Sequence, residues 1–268
     1  MTLLDALQRL QPDSSRTTLR QLLQNDRVRV NGVPERDAKR EVSESDRVTI
    51  GAKSERIDPR VRILYEDADV IVIDKAEGLL TTPTEEVRHE SAESFLSTYL
   101  NGRAMHVHRL DRDTSGVLVF AKTAHVRDAL QAQFAEHKPD RVYVAIVHGH
   151  LPESGTFRSY LAEDRELRVR SVANAREGKE AITHYRVLDA NEHVSLVEAT
   201  LETGRRNQIR VQFAEAGHPV VGDSMYGRGR ADRFGRLALH ARSLSFVHPR
   251  TGATMTFTAD VPFSSELK

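Results

Sequence analysis

Two aspartates alternate with two arginines in the segment HRLDRDTSG, residues 108–116, directly before the apolar run VLVFAK. Asp111 and Asp113 are two residues apart, so in an extended segment their side chains point to the same side. An ionised carboxylate in such a loop can serve as a general base or as a nucleophile. The alternative is a charged turn in which each aspartate caps a backbone amide, and the composition is compatible with both interpretations.

A second charged segment, LETGRRNQIRVQFAEAGHPVVGDSMYG, covers residues 201–227. Thr203 is a candidate cap for a helix that ends at Gly217, just before a His-Pro pair. Arg206 and Arg210 are four residues apart and therefore share one face of this helix. A cation held on a helix can keep a nearby carboxylate ionised; the alternative is an exposed basic helix.

A third segment, DRVYVAIVHGH, is typical of a half-buried strand that carries Tyr143 between valines. A tyrosine in such a strand usually packs while its hydroxyl finds one hydrogen-bond partner. The histidines of the chain lack the spacing of a metal cluster, so we expect no metal site. The absence of cysteine excludes disulfides, thiolate metal sites and a cysteine nucleophile.

The elements that must position these residues are mostly strands. Beyond residue 60 the apolar runs predict strands, and helical patterns occur at about 91–100, 124–137 and 205–216. Strands of mixed length with few helices predict an α+β domain with a mixed, largely antiparallel sheet over residues 61–268. Residues 51–60 are polar and aperiodic, which predicts a linker.

Residues 1–50 are predicted to form a small α+β unit of their own. LLDALQRL has helical apolar spacing, and a second helix is predicted from a serine cap to about Gln24. The run VRVNGV is typical of a hairpin with an Asn31-Gly32 turn. Arg16 and Arg20 lie on the second helix, and the helix–hairpin pattern is similar to the alpha-L RNA-binding motif of ribosomal and RNA-modifying proteins.

The 268-residue chain has a formal net charge of zero and 29% charged residues, which is typical of an ordinary globular protein. No apolar run approaches the roughly 20 residues that span a bilayer. The amphipathic start does not look like a secretory signal, so we expect a cytoplasmic protein. Between positions 205 and 242 stand eight arginines against three acidic residues. Such arginines suit phosphate contacts, although an ordinary solvated surface can have the same composition.

Together these segments resemble the RluA family of RNA pseudouridine synthases. HRLDRDTSG is similar to the family's signature segment almost letter for letter, and RVYVAIVHG is similar to its tyrosine-bearing strand. Residues 201–227 resemble its arginine-bearing motif, and LALHA at 237–241 its later histidine segment. An alpha-L unit ahead of the catalytic domain is common in the same family. Two departures are Asn207 and Gln212 in place of histidines, and KAEG at 75–78 in place of lysine–proline–x–glycine.

The resemblance implies a pseudouridine synthase fold and assigns roles residue by residue. Asp111 matches the catalytic aspartate, Tyr143 the active-site tyrosine, and Arg210 the arginine that pairs with the aspartate. Arg109 matches the residue that enters the RNA in place of a flipped base, whereas Asp113 is not implied as catalytic. The further residues expected to hold RNA are Arg16, Arg20, Arg205 and Arg206.

The implied activity is the isomerisation of specific uridines to pseudouridine in structured RNA, preferably large-subunit ribosomal RNA and otherwise transfer RNA. Because the reaction involves no redox change and no net hydrolysis, we expect no cofactor, and a monomer is the default oligomeric state. Two alternatives belong to other classes. One is a non-catalytic RNA-binding or ribosome-assembly factor with the same fold; the other is a carboxylate-dependent glycosidase with Asp113 as the second acid.

Overall fold

The computed structural model describes residues 1–12, 14–24, 27–43, 45–50, 57–166, 168–227 and 235–263. Its N-terminal part comprises helices α1 (Leu3–Leu10) and α2 (Arg16–Gln24) and strands β1 (Val28–Val30), β2 (Val33–Pro34) and β3 (Val48–Ile50). Strand β1 pairs antiparallel with both other strands, and leucines of the two helices pack against its valines.

Local sequence signals account for the form of this N-terminal unit. Ser15 Oγ accepts the N–H of Thr18 at the start of α2, which satisfies a donor that the helix leaves free. Asn31 and Gly32 have φ angles of 54° and 83°, as a tight hairpin turn requires. The predicted second helix and hairpin are therefore confirmed. Residues 51–56 of the predicted linker lie outside the described part, and the division at positions 50 and 60 stays a prediction.

The described residues beyond position 56 place eleven strands in one sheet, together with three helices. The helices are α3 (Ala92–Leu100), α4 (Ala124–Ala135) and α5 (Gln208–Glu215). The strands are β4 (Val61–Glu66), β5 (Val70–Lys75), β6 (Met105–His106), β7 (Ser115–Ala121), β8 (Asp140–His148), β9 (Ser154–Glu163), β10 (Val169–Val172), β11 (Lys179–Ala190), β12 (Val194–Leu201), β13 (Leu239–Val247) and β14 (Thr254–Thr258).

The strand order is β10-β9-β11-β12-β8-β13-β7-β5-β4, with β14 paired to β13 and β6 to β7. Within the described part of the chain, β7 and β13 are the one pair of strands that runs parallel. The prediction of an α+β fold with a mixed, largely antiparallel sheet is confirmed.

Alternate residues of the neighbouring strands β5 and β7 belong to two different cores, one on each face of the sheet. Ile71, Ile73, Leu118 and Phe120 belong to the core that also includes residues of α3 and α5. Val70, Val72, Val117 and Val119 belong to the core that also includes residues of α4. A strand buried on both faces has a continuous apolar sequence, which explains the runs VIVI and GVLVFA.

Helix α5 starts later than the sequence predicts, and Thr203 does not cap it. The N-cap residue is Asn207, at φ 52°, and its side chain makes no capping hydrogen bond. Thr203 Oγ1 instead accepts the N–H of Ile182 at 2.8 Å and donates to Gln208 Oε1 at 2.8 Å. The predicted cap was wrong because the buried hydroxyl is used to tie the loop to β11, a contact between distant parts of the sequence.

The signature segment enters the sheet where β7 meets β13. Gly116 has a φ angle of 119°, and a Cβ atom at this position would lie 2.2 Å from the carbonyl oxygen of Ala241. Glycine is therefore required for the close approach of these two strands. None of the helices in the described ranges is both long and apolar enough to cross a bilayer.

Candidate active site

A cavity of about 860 Å³ opens between the loop before β7, strand β8 and the start of α5. The sheet thus brings together three segments that lie far apart in the sequence. Arg210 stands behind the cavity wall, in contact with Asp111. Arg16 and Arg20 lie on α2 and do not line the cavity. The predicted site residues that line it are Arg109, Asp111, Tyr143, Arg205 and Arg206.

Asp111 exposes 29% of its side chain to the cavity. Nη1 of Arg210 lies 3.6 Å from its Oδ2, an ion-pair contact that is too long for a hydrogen bond. Burial raises the pKa of Asp111 above its ordinary value, while the nearby cations Arg210, Arg206 and Lys75 oppose this rise. Because burial prevails, the ionised carboxylate is more basic than one in water.

Arg210 is held mainly by Asp223. Its Nε and Nη2 donate to Oδ2 and Oδ1 of Asp223 at 2.7 and 2.8 Å, a bidentate pair. The side chain of Asp223 is fully buried and that of Arg210 is 7% exposed. Asp223 Oδ1 also accepts the N–H groups of Met225 and Tyr226, both at 2.9 Å. Only Nη1 of the guanidinium remains to face Asp111.

The sequence alone does not point to Asp223 as a functional residue. The sequence does contain a weak signal, because GDSMYG places an aspartate thirteen positions after Arg210 in the arginine-bearing segment. That distance spans a helix end and a turn, so no periodicity connects the two residues. Only the packing of the turn against α5 brings them together.

The two positions that depart from the family's histidines have different surroundings. Asn207 lines the cavity, and its Oδ1 accepts a hydrogen bond from Nη1 of Arg210 at 3.2 Å. Gln212 is buried and faces the sheet, where it accepts from Thr183 Oγ1 at 2.7 Å and donates to the carbonyl of Ala181 at 3.0 Å. Asn207 therefore belongs to the site, whereas Gln212 joins α5 to β11.

Tyr143 is buried in β8 with its side chain at the cavity wall. Burial raises the pKa of its phenol to about 12; Arg141 opposes the rise and Asp111 adds to it. The hydroxyl is therefore protonated at neutral pH. Tyr143 can pack against a planar ligand and donate a hydrogen bond, but it is not an anionic base.

Arg109 and Asp113 belong to the same loop, but their side chains lie in different environments. Arg109 is exposed, lines the cavity, and makes no ion pair with another described residue. Asp113 does not line the cavity and pairs with Arg112, with Nε and Oδ1 2.9 Å apart. This placement argues against Asp113 as the second acid of the glycosidase alternative.

Buried side chains hold the backbone on both sides of Asp111. Lys75 is completely buried, and its Nζ donates to two carbonyls of its own turn and to that of Arg112 at 3.0 Å. Burial lowers the pKa of Lys75 to about 7. Thr81 Oγ1 donates to the carbonyl of Leu110 at 2.8 Å and accepts its N–H at 3.2 Å. The sequence shows Lys75 only as part of KAEG and does not single out Thr81.

The later histidine segment supports the far end of the loop. His240 is buried, and its Nδ1 lies 2.8 Å from Ser115 Oγ. The same hydroxyl accepts a hydrogen bond from Nη2 of Arg236 at 2.7 Å. Three of the eight arginines between positions 205 and 242 lie outside the described residues; they are Arg228, Arg230 and Arg233.

Asp67, Asp69 and His248 form a cluster whose ligand atoms lie within 4.8 Å of one another, away from the cavity. Nδ1 of His248 accepts the N–H groups of Arg250 and Thr251 at 3.3 and 3.2 Å, so the ring proton is on Nε2. Nε2 faces Oδ2 of Asp67 at 3.1 Å. This contact lacks the geometry of a hydrogen bond, and with its proton on Nε2 the imidazole offers no free lone pair to a cation.

Comparison with known proteins identifies the family. A family model described as RNA pseudouridylate synthase matches residues 69–215, and an S4 domain model matches residues 1–48. The chain belongs to the RNA pseudouridylate synthase family. It is therefore an isomerase that forms pseudouridine in RNA, and its N-terminal part is an S4 RNA-binding domain.

Relatives support this assignment along almost the whole chain. Ribosomal large subunit pseudouridine synthase D of Neisseria meningitidis is 35% identical, over 97% of this chain and 75% of that protein. The Escherichia coli K12 protein of the same name is 33% identical, over 96% of this chain and 86% of that protein. The solved structure of human RNA pseudouridylate synthase domain containing 1 is similar with a TM-score of 0.64 and 26% identity, covering 78% of this chain and 86% of that one.

The first prediction for this pseudouridine synthase concerns the buried pair. Asp223→Asn keeps the shape of the side chain but leaves Arg210 as an uncompensated buried cation, so we expect a loss of about 3–5 kcal/mol in the free energy of unfolding. The control Asp113→Asn breaks an exposed pair and should cost less than about 1 kcal/mol. Urea unfolding followed by circular dichroism measures both, and equal losses would contradict the assigned importance of Asp223.

The second prediction concerns pH. Because the pKa of Asp111 is higher in the folded protein than its ordinary value of 3.8, ionisation of this side chain lowers stability as the pH rises through the folded pKa. Asp111→Asn should therefore be more stable than the wild type at pH 7. The difference should shrink as the pH is lowered towards 4. Urea midpoints across this range provide the measurement, and a variant that is less stable at pH 7 would refute it.

Proposed function

We propose that this enzyme isomerises specific uridines of large-subunit ribosomal RNA and that Asp111 carries the chemistry. The observation on which the proposal depends is the contact of Asp111 with the buried Arg210, next to an arginine-lined cavity. Two relatives that match nearly the whole chain are named ribosomal large subunit pseudouridine synthase D. The roles of individual residues follow from their match to the family's motifs and are supported by their surroundings.

Asp111 acts on the ribose of the target nucleotide, as a nucleophile at C1′ or as a base at C2′. The bond from uracil N1 to C1′ breaks, the base turns over, and a bond from C5 to C1′ forms. N1 then gains a proton and C5 loses one. The raised pKa of Asp111 favours its reaction with either ribose position, while Arg210 keeps enough of it ionised when bound RNA excludes water.

Tyr143 holds the uracil in place during this turn. Since its pKa is raised to about 12, the phenol is neutral at pH 7 and packs against the ring without adding charge. Removal of the C5 proton through the phenol oxygen requires the phenol's own proton to leave in the same step. Tyr143 is therefore a positioning group first and a proton carrier second.

Arg109 fills the space that the flipped nucleotide leaves in the RNA. Extruding a base from its stack costs on the order of a few kcal/mol. The exposed guanidinium of Arg109 is bound to no described acid and can offset part of this cost by stacking on the exposed bases. Asp111 lies two residues further along the same loop, so entry of Arg109 and approach of Asp111 are coupled.

The surrounding RNA is held at two places. Arg205 and Arg206 line the cavity, with Arg206 2.9 Å from Glu163. Arg16 and Arg20 are exposed on α2 of the S4 domain. A monomer remains the oligomeric state that we propose by default, and a ribosomal substrate supports a cytoplasmic location.

The catalytic role is tested with Asp111→Asn on RNA that carries tritium at C5 of uridine. We expect tritium release to fall by roughly 10²–10⁴-fold or more, with RNA affinity within twofold of the wild type. Asp113→Asn is the matched control and should retain turnover. Retained turnover in Asp111→Asn would contradict the role, and a wild type that binds without tritium release would favour the RNA-binding factor.

The choice of RNA is tested by mapping pseudouridines in total RNA from cells with and without the gene. We expect the lost sites to lie in large-subunit ribosomal RNA and to return when the wild-type gene, but not Asp111→Asn, is restored. Losses confined to transfer RNA would refute the ribosomal assignment while leaving the enzyme class unchanged.

A further inference from the structure

Arg141 is a buried arginine in the cavity wall, two residues before Tyr143 on the same face of β8. It makes no ion pair with another described residue. Nη2 donates to the carbonyls of Leu201 and Glu202 at 3.4 and 3.2 Å, whereas the buried Nε has no hydrogen-bond partner. Buried charges are normally paired because desolvation is costly. The guanidinium is therefore held in place by backbone oxygens, with its charge uncompensated.

A second guanidinium shares this wall. Arg205 is half-buried, donates from Nε to the carbonyl of Glu180 at 2.9 Å, and makes no ion pair with any carboxylate of the described residues. Its charge is close enough to lower the pKa of Arg141, in addition to the larger effect of burial. Two cations that repel each other inside one cavity are typical of a site that receives an anion.

The local structure makes room for Arg141. A Cβ atom at Gly204 would lie 2.2 Å from Arg141 Nη1, so glycine is needed here for the guanidinium to occupy its position. Two further neighbours, Phe134 and His108, bring no negative charge to Arg141, and Glu163 in the same cavity is paired with Arg206. Phe134 lies 5.8 Å from the guanidinium carbon, and His108, stacked on Phe134, is neutral because burial lowers its pKa to about 3.

We infer that Arg141 and Arg205 form a phosphate-binding site, the Arg141–Arg205 site, that takes one phosphodiester group of the bound RNA. The inference rests on the proposed function for the identity of that RNA. A phosphodiester is the anion that RNA brings into the cavity, and the planar guanidinium fork matches its oxygens. Since Cα atoms two residues apart on a strand are about 7 Å apart, the phosphate belongs to the nucleotide held by Tyr143 or to its neighbour.

The test is a binding cycle on a synthetic hairpin from large-subunit ribosomal RNA, with one phosphate at a time replaced by an uncharged methylphosphonate. All proteins carry Asp111→Asn, so that turnover does not disturb the equilibrium. We expect one position beside the target uridine to weaken binding roughly tenfold when neutralised. Adding Arg141→Gln should weaken binding to the unmodified hairpin by a similar factor and abolish the sensitivity at that position alone.

Salt dependence provides a second readout. Loss of one phosphate contact should reduce the slope of log K against log salt by about 0.7–0.9. Arg186→Gln is the matched control, because Arg186 is exposed, pairs with Glu198 at 2.9 Å and does not line the cavity. Arg186→Gln should change the affinity by less than twofold. It should leave the pattern of methylphosphonate sensitivity unchanged.

Gly204→Ala separates phosphate binding from a purely structural role of Arg141. It leaves every charge in place but displaces the guanidinium, and we expect it to reduce the same methylphosphonate sensitivity severalfold. If Arg141→Gln does not fold, Gly204→Ala replaces it in the binding cycle. Unchanged sensitivity at every phosphate in the variants that fold would overturn the site. Because the cycle needs no turnover, a failure of the proposed function appears separately, as absent tritium release from the wild type.

Discussion

The geometry around Asp111 depends on one buried ion pair, that of Arg210 with Asp223. A guanidinium that stands beside the carboxylate of Asp111, away from water, needs a partner of its own. Asp223 provides it through two hydrogen bonds at 2.7 and 2.8 Å, and two backbone N–H groups in turn hold Asp223. Desolvation makes such a pair costly unless its hydrogen bonds are satisfied. With this arrangement Arg210 is fixed in orientation, and its last nitrogen faces Asp111.

The backbone of the loop is fixed as firmly as the arginine. Lys75 and Thr81 bond the backbone of Arg112 and Leu110, the residues on either side of Asp111. Further along, Ser115 is bonded to His240. These supports come from β5, β13 and the turn after β5, so the position of the carboxylate is set by strands that flank β7 and by the turn that follows one of them. A loop held in this way keeps the carboxylate that we propose as catalytic in place before substrate arrives.

Zero net charge is compatible with a polyanionic substrate because the arginines differ in their partners. On the exposed strands, Arg62, Arg158 and Arg186 pair with Asp74, Glu180 and Glu198. In the cavity, Arg109, Arg141 and Arg205 make no ion pair with a described residue. These three cavity arginines therefore keep charges that no carboxylate of a described residue neutralises. The total charge of the chain conceals this distribution.

The sequence by itself determined the class of fold, the helix–hairpin unit and the segment that holds the candidate catalytic aspartate. These follow from local periodicity, from the Asn31-Gly32 turn and from the motif HRLDRDTSG, each of which is encoded within a few residues. Only the tertiary structure decided that Asp223 partners Arg210, that Thr203 serves β11 instead of capping α5, and that Arg141 is buried without an acid. These contacts join residues that are distant in sequence, and their energies depend on burial. A sequence pattern reports the type of a side chain and its spacing, whereas the cost of burying its charge depends on what the fold packs around it.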